Sequence, residues 1–536
     1  MSEAVVLGAG HNGLVAAFYL ARAGVDVTVV EGSDRVGGAC KTEELIPGYR
    51  FSTCANYLAW LRPKVAADMQ LFERGVTVDG GPAARILEGD RPFVWWPDPD
   101  RVKLQIATFS KRDAAQWDAW TRVWTDAAGL FGPHLLSYPP TLRELNRHAR
   151  REQLGGLLDT VLSTSLAELV DGFFESAELR GSIGPPHDVG SCTDRGSALM
   201  QALAAAMETY TETGVSAPQG YVRGGMGKLS EAMRVAAEEA GAAVLTNCPV
   251  ERIAVEHGRA VGVRLAGGRT LPARRVVANS DPKRTFLSLI DPDALPSAFL
   301  RRVRGLRTEV APLKLHCAMS ELPEWHAFDD SELPNRGPLA LTSSRALHER
   351  AWADARHGRL PSECLIVAMT PSIWDPALAP PGHHTTSFWI QFAPVRPSMG
   401  SWDERREEMA DRLLNQIGSR SPNFRERLRD YVLLTPADLE RRVNLTDGNI
   451  HHVDISPSQA LWQRPLTELA RYRSPVEGLY LCGAGQHPYG EVSGGPGHNA
   501  AHAVLEDLGL IGVGTWEENR PDAAGHVDPE RSPSFS

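Results

Sequence analysis

An α/β fold, with a Rossmann-like dinucleotide-binding domain and a discontinuous α+β substrate domain, is predicted by three blocks of this 536-residue chain. They are Val5-Val6-Leu7-Gly8-Ala9-Gly10-His11-Asn12-Gly13, a stretch from Gly220 to Pro282, and Gly478-Leu479-Tyr480-Leu481-Cys482-Gly483-Ala484-Gly485. In the first block, the short β-rich run Val5 to Leu7 leads into GxGxxG at Gly8, Gly10 and Gly13. Leu14 to Ala23 then repeats apolar residues at helical spacing. Strand, turn and helix thus come in the order that dinucleotide binding requires.

Each glycine has its own reason. Gly8 permits the tight turn, Gly10 lets the backbone approach a pyrophosphate, and Gly13 brings the helix close to the strand. The helix N-terminus, including Asn12, then offers unpaired N–H groups and a favourable dipole to phosphates. A second β run, Val25 to Val30, ends at Glu31, where a carboxylate can accept bonds from ribose hydroxyls. An acidic residue there disfavours NADP. The extension Arg35-Val36-Gly37-Gly38-Ala39 follows at once and resembles that of the two-dinucleotide-binding-domain flavoproteins, which implies that it lines an FAD pyrophosphate.

The middle block opens at Gly220-Tyr221-Val222-Arg223-Gly224-Gly225, continues as a helix to Ala240, and alternates from Ala243 to Ala278. Val244-Leu245, Val250 to Val255, Ala260 to Leu265 and Arg275 to Ala278 read as strands, with turns at His257-Gly258 and Gly267-Gly268. Asn279-Ser280-Asp281-Pro282 is a turn or cap cluster. The last block reads as a buried strand, Leu479 to Cys482, a close-approach turn, Gly483-Ala484-Gly485, and a helix from Gly497 to Leu508. This second helix N-terminus can face an electron-rich group. A third glycine at the spacing of a second dinucleotide site is absent.

Length calls for more than one domain, because single cores stop growing at roughly 250–300 residues. The three blocks assign 1–75, 220–290 and 470–512 to the nucleotide-binding domain, leaving 76–219 and 291–469 for the substrate domain. The tail, 513–536, is polar and punctuated by Pro, and is expected to be disordered. A net charge of −10 with 23% charged residues gives no support to nucleic-acid binding. Seven cysteines, odd in number and without CxxC spacing, suggest neither a disulfide framework nor a metal site. No run of eighteen apolar residues occurs, and the first strand leaves no room for a signal peptide; a cytoplasmic protein is expected. For peripheral membrane contact the nearest candidate is Phe299 to Arg307, with four arginines.

GAGHNGLVAAFYLARAGVDVTVVEGSDRVGGAC, GYVRGGMGKL, VVANSDP and GLYLCGAGQHPYGEVSGGPGHNAA together resemble the phytoene-desaturase-related flavoproteins. The nearest branch is that of the pyridine nucleotide-disulfide oxidoreductase domain-containing protein 2 group. The resemblance implies an amine-oxidase-like and carotenoid-desaturase-like fold, noncovalent FAD, and withdrawal of a hydride equivalent from a carbon centre. It implies FAD contacts from Gly8, Gly10, Gly13, Glu31, Arg35, Gly37 and Gly38, from Val250 on the adenine side, and from Asn279, Gly483, Ala484 and Val492.

One departure stands beside the flavin. Where carotenoid desaturases carry small residues, this chain has Tyr489 and Glu491 in His487-Pro488-Tyr489-Gly490-Glu491-Val492. Glu491 or His487 is a candidate general base or substrate-orienting group; the alternative is a carboxylate turned into a structural hydrogen bond. Lys314, in Pro312-Leu313-Lys314-Leu315-His316, matches by analogy the lysine that holds a water near the flavin in amine oxidases, against the alternative of a solvated strand edge. His451-His452, after Thr446-Asp447-Gly448-Asn449-Ile450, resemble the family's Thr-x-Gly-x-Ile-His segment at the substrate cavity. Read as a strand, these two point to opposite faces and do not share a metal.

The expected activity is that of an FAD-dependent oxidoreductase oxidising a C–H bond of a small, lipophilic molecule, with electrons leaving to oxygen, a quinone or another acceptor. Amine oxidation and redox-neutral double-bond isomerisation are the enzymatic alternatives. From another class, a flavin-stabilised interaction protein without turnover is the competing reading. Trp95, Trp96, Trp117, Trp120, Trp124, Trp374 and Trp389 either line an apolar pocket or fill cores.

Overall fold

The computed structural model describes residues 2–183 and 190–512. The predicted tail, 513–536, lies outside the described residues. The first segment supplies β1 (Ser2–Leu7), α1 (His11–Arg22) and β2 (Val27–Val30). The next supplies β3 (Ala84–Leu87), β4 (Arg91–Val94) and two long helices, α2 (Lys111–Phe131) and α3 (Ser197–Thr209). The middle block gives α4 (Met226–Glu239), β5 (Ala243–Leu245), β6 (Val250–Glu256), β7 (Arg259–Leu265), β8 (Thr270–Ala278) and α5 (Pro282–Leu287). After it come α6 (Ser297–Arg304), β9 (Val310–Met319), β10 (Leu339–Ser343), β11 (Leu365–Met369), β12 (His384–Pro394), α7 (Trp402–Gly418) and β13 (Leu428–Leu434). The chain closes with β14 (Leu479–Leu481) and α8 (Gly495–Asp507).

Two sheets organise these elements. The first is parallel in the order β14-β8-β1-β2-β5, and β8 extends beyond it to carry the antiparallel meander β6-β7-β8. Both faces of β1 are buried, as parallel strands require. Ala4 and Val6 belong to a core shared with α1, α4 and α8, while Val5 and Leu7 join a second core with the meander, α5 and α6. Asp281 caps α5 by accepting the Arg284 N–H at 2.8 Å, as the Asn279-Ser280-Asp281-Pro282 cluster predicts.

The second sheet runs β13-β9-β12-β11-β10-β3-β4, antiparallel except for the β10–β3 pair. Its core joins Leu313, Leu315, Phe388 and Ile390 to Met409, Leu413 and Ile417 of α7. The tryptophans Trp117, Trp120 and Trp124 lie on α2 and fill a helical core against α3 rather than lining a pocket. Four short helices, Leu142–Arg151, Gly155–Ser163, Leu166–Phe173 and Ala177–Ser182, take the stretch that reads as helix-rich.

Two sequence expectations are corrected. The Phe299 to Arg307 stretch offers no apolar face to a membrane, because Phe299, Leu300 and Val303 of α6 are buried in the core beneath the meander. Lys314 is no solvated edge: β9 lies between β12 and β13, and Lys314 is 0% exposed. Among the described residues no helix is long and apolar enough to cross a membrane, all seven cysteines are free, and no His/Cys/Asp/Glu group could hold a metal.

In the first sheet's helical layer, α1 and the start of α8 pack backbone to backbone. A Cβ on Gly497 would lie 2.2 Å from the Asn12 carbonyl oxygen, which backbone cannot avoid. Gly497→Ala is therefore expected to destabilise by about 2–3 kcal/mol in urea denaturation. Gly129→Ala, inside α2 with nothing near its Cβ, should instead be neutral or stabilising by up to about 1 kcal/mol.

Candidate functional site

The N-terminal glycine turn is built as the sequence predicts. Gly8 has φ +90°, and its N–H donates to the Val30 carbonyl at 2.8 Å. A Cβ on Gly13 would sit 2.1 Å from the Gly8 carbonyl oxygen, so only glycine lets α1 start this close to β1. Gly10 is the N-cap of α1 and provides no side-chain cap, so the first amides of the helix stay available to an anion. Asn279, just past β8, lies under the turn: its Nδ2 is 3.4 Å from the Gly8 oxygen and would be 2.8 Å from a Cβ on Gly10.

Glu31 stands at the end of β2, where one carboxylate oxygen accepts the Ala9 N–H at 2.9 Å and the other accepts from Ser33 N–H and Oγ. Gly37 donates its N–H to the Ala9 carbonyl at 2.8 Å, laying the Arg35 to Ala39 segment across the glycine turn. Gly37 and Gly38 have φ +120° and +55°. The Arg35 side chain points outward and pairs with Asp34. Val250, the first residue of β6, packs at the edge of the core that contains Val30.

The C-terminal half differs from the sequence reading in one respect. His451 and His452 lie in a turn after the short 3₁₀ segment Thr446–Gly448, not on a strand, and His452 has φ +65°. Both rings pack on glycines of the last block. A Cβ on Gly483 would be 2.6 Å from His452 Cε1, and one on Gly490 would be 2.0 Å from His451 Nδ1. A Cβ on Gly485 would meet the His452 Cβ at 3.1 Å and Pro282 at 3.3 Å, a tight but less severe fit. Gly483 and Gly490 are thus required by protein packing, whether or not a ligand is bound.

Arg464 fixes the arrangement. It is 1% exposed, and its guanidinium donates to five backbone carbonyls: His451 (3.1 Å), Asp454 (3.5 Å), Gln459 (3.2 Å), Ala484 (2.9 Å) and Gln486 (3.2 Å). Burial pulls its pKa down to about 10, so it remains a cation at neutral pH. The histidine turn and the 483–486 turn are thereby tied to one charge.

Glu491 comes next to these groups. Its Oε1 is 4.0 Å from His451 Nε2, its side chain is 28% exposed, and its φ is +64°. Tyr489 is buried, with its ring edge-on to Trp60 (centroids 5.5 Å) and 6.3 Å from the His451 ring. Cys40 lies close enough for the Glu491 charge to add to the burial that pushes its thiol up, and it contacts His11 at 3.8 Å. His487 is buried, and its Nε2 donates to the His134 carbonyl at 2.8 Å. Val492 is buried in the core under α1. Lys314 bonds to the Asn56 side chain and lies 4.3 Å from the Trp389 ring centroid, away from any surface.

The structure therefore brings together Gly8 to Gly13, Glu31, Gly37 to Ala39, Asn279, His451, His452, Gly483, Ala484 and Glu491. It adds His11, Cys40, Arg464 and Gln486, which sequence reasoning misses. Nothing in the periodicity around Trp462-Gln463-Arg464-Pro465 marks a buried guanidinium, because arginine is mostly exposed. His11 and Cys40 fall inside the glycine-rich motifs, at positions where the pattern specifies no residue type.

The residues suit a dinucleotide with a polar, partly buried reactive end. Several buried polar atoms have no hydrogen-bond partner among the described residues: Asn12 Oδ1, His452 Nδ1 and both amide atoms of Gln486. Native proteins rarely leave such atoms bare. With the uncapped α1 N-terminus and the Glu31 carboxylate, they would hold the phosphates and sugars of FAD. When bound, that group supplies a two-electron acceptor. The chain supplies orientation and exclusion of water, and it places the Glu491 carboxylate 4.0 Å from His451 Nε2.

The buried histidines make the fold acid-sensitive. Burial holds His11 and His134 at about 4, and His316, His452 and His487 at about 3. Because these folded-state values lie below the ordinary 6.5, the unfolded chain binds more protons on acidification. The stabilisation is full above about pH 6.5 and is lost as pH falls toward 3–4. Asp454, raised to about 6 by burial, acts the other way, as do Asp281 and Glu208, but the lowered histidines outnumber them. The unfolding free energy from urea denaturation should fall by about 2–5 kcal/mol between about pH 7.5 and about pH 5. Arg464→Lys, with three donors for five carbonyls, should cost about 3–5 kcal/mol in the same assay at neutral pH.

Comparison with known proteins agrees with this geometry. Residues 13–495 match the family model described as flavin containing amine oxidoreductase. The chain is 34% identical to rat (Rattus norvegicus) pyridine nucleotide-disulfide oxidoreductase domain-containing protein 2, over 94% of each chain. It is 28% identical to a limonene dehydrogenase subunit of Castellaniella defragrans, over 95% of each. Wild-type putrescine oxidase bound to putrescine shares the fold, with a TM-score of 0.58 over 95% of this chain and 99% of that one at 16% identity. The glycine turn, the parallel sheet and the matched length together place this chain in the flavin containing amine oxidoreductase family, as an FAD-dependent oxidoreductase.

Proposed function

We propose that the protein removes a hydride from a C–H bond of an organic, lipophilic substrate, as a desaturase, dehydrogenase or oxidase, and that Glu491 handles the accompanying proton. The observation that carries this reading is the placement of Glu491. A carboxylate stands where a backbone φ of +64° favours glycine, with the buried His451 ring 4.0 Å away. His451 is itself fixed by its N–H to Asn449 Oδ1 (3.0 Å), by its carbonyl to Arg464 and by its ring on Gly490. A residue held against local backbone preference beside an immobilised imidazole suits proton transfer.

In the proposed reaction the hydride leaves carbon with both electrons of the C–H bond, and the proton lost from the neighbouring atom passes to the Glu491 carboxylate. Gly8 to Gly13, Glu31 and Gly37 to Ala39 would hold FAD noncovalently, and the bound group would supply the two-electron acceptor for the hydride, with oxygen, a quinone or another small molecule as the final acceptor. The limonene dehydrogenase among the relatives supports a hydrocarbon-like substrate. Unpaired thiols at all seven cysteines support a reducing, cytoplasmic setting.

Anaerobic mixing of the FAD-loaded protein with lipophilic alkenes, alcohols and amines, read by flavin bleaching, tests the reading. Bleaching by an alkene or alcohol is expected, and bleaching by amines alone would move the assignment to amine oxidation. With the substrate found, Glu491→Gln should slow bleaching by about 100-fold at unchanged FAD content. An unchanged rate removes Glu491 from the reaction.

A further inference from the structure

Resting on the FAD reading, we infer that Gln486 is a cofactor-positioning residue whose side-chain amide hydrogen-bonds directly to bound FAD. Gln486 is 1% exposed, and both Oε1 and Nε2 are buried without a partner among the described residues. Its backbone, by contrast, is fully engaged: its N–H donates to the Gly483 carbonyl at 3.0 Å, and its carbonyl accepts from Arg464 Nε at 3.2 Å. The chain fixes the position of the residue and leaves its polar end unsatisfied.

A primary amide brings two donors and two acceptor lone pairs, and sealing all of them from water is unfavourable. Packing alone would be served better by leucine or methionine, which fill similar volume with nothing to satisfy. The other bare atoms sit on the segments that meet Gln486. His452 packs on Gly483 within the same turn and carries an unpartnered Nδ1, and His11 lies close enough for its charge to couple to that of His452. Asn12, with Oδ1 bare, adjoins His11 at the open N-terminus of α1. Three chain segments thus contribute unpaired polar groups to the seam that the glycine turns define. A ligand presenting donors and acceptors together, as the hydroxylated chain and imide edge of FAD do, satisfies an amide on both of its ends.

The amide therefore trades stability of the flavin-free protein for cofactor affinity, and the two can be measured separately. In full-length protein stripped of flavin, Gln486→Leu should melt at the same temperature as the parent or higher, because an unsatisfied amide is removed. Titrated with FAD and followed by fluorescence quenching, the same variant should bind about tenfold more weakly. Unchanged FAD affinity would overturn the inference, as would weaker binding accompanied by a lower melting temperature of the flavin-free form, which marks a structural role. If the parent protein fails to bind FAD at all, the underlying FAD reading fails instead, so the two failures are told apart.

Discussion

One buried guanidinium sets the shape of the site. Arg464 has five N–H donors, and each has a backbone carbonyl to meet, drawn from the histidine turn, the 454–459 stretch and the 483–486 turn. No carboxylate shares the charge at bonding distance among the described residues; the dipoles of carbonyls balance it instead. Such a charge is costly to bury, and it is tolerated only because every donor is satisfied. Removing it would release turns that come from chain positions far apart in sequence and that have little regular structure of their own.

The glycines complete what the guanidinium begins. Gly483 and Gly490 leave room for the rings of His452 and His451, Gly13 lets α1 start close to the β1 turn, and Gly497 lets the start of α8 approach α1 backbone to backbone. Two helix N-termini are thereby brought to one seam; the first amides of α1 have no side-chain cap, and in α8 only the Gly495 N–H is taken, by Ser493 Oγ at 3.3 Å. Their positive ends are left for electron-rich groups of a ligand. The same close packing that makes the fold intolerant of a single added methyl group makes the site rigid.

How much is legible in the sequence follows from range. The glycine turn, Glu31, the meander and the Asp281 cap are local patterns, in which neighbours along the chain dictate the conformation, and the structure has them where the spacing predicts. Residues 451–452 read as a strand from their neighbours alone, whereas their turn is imposed by Arg464 from elsewhere in the chain. Lys314 stays open between a catalytic role and a solvated edge, since sequence does not say that β9 pairs on both sides. The arginine-rich stretch 299–307 carries an amphipathic pattern that serves the domain's own core. Arg464, His11 and Gln486 go unseen because their roles depend on contacts between separate segments, for which a single sequence holds no signal.

That four separate stretches of the chain form one FAD site is tested most directly by hydrogen–deuterium exchange of the full-length protein, with and without FAD. Bound FAD should slow exchange together in residues 8–13, 37–41, 451–452 and 483–495, with little change in the second sheet. Protection confined to one of these segments, or exchange that is indifferent to FAD, would contradict it.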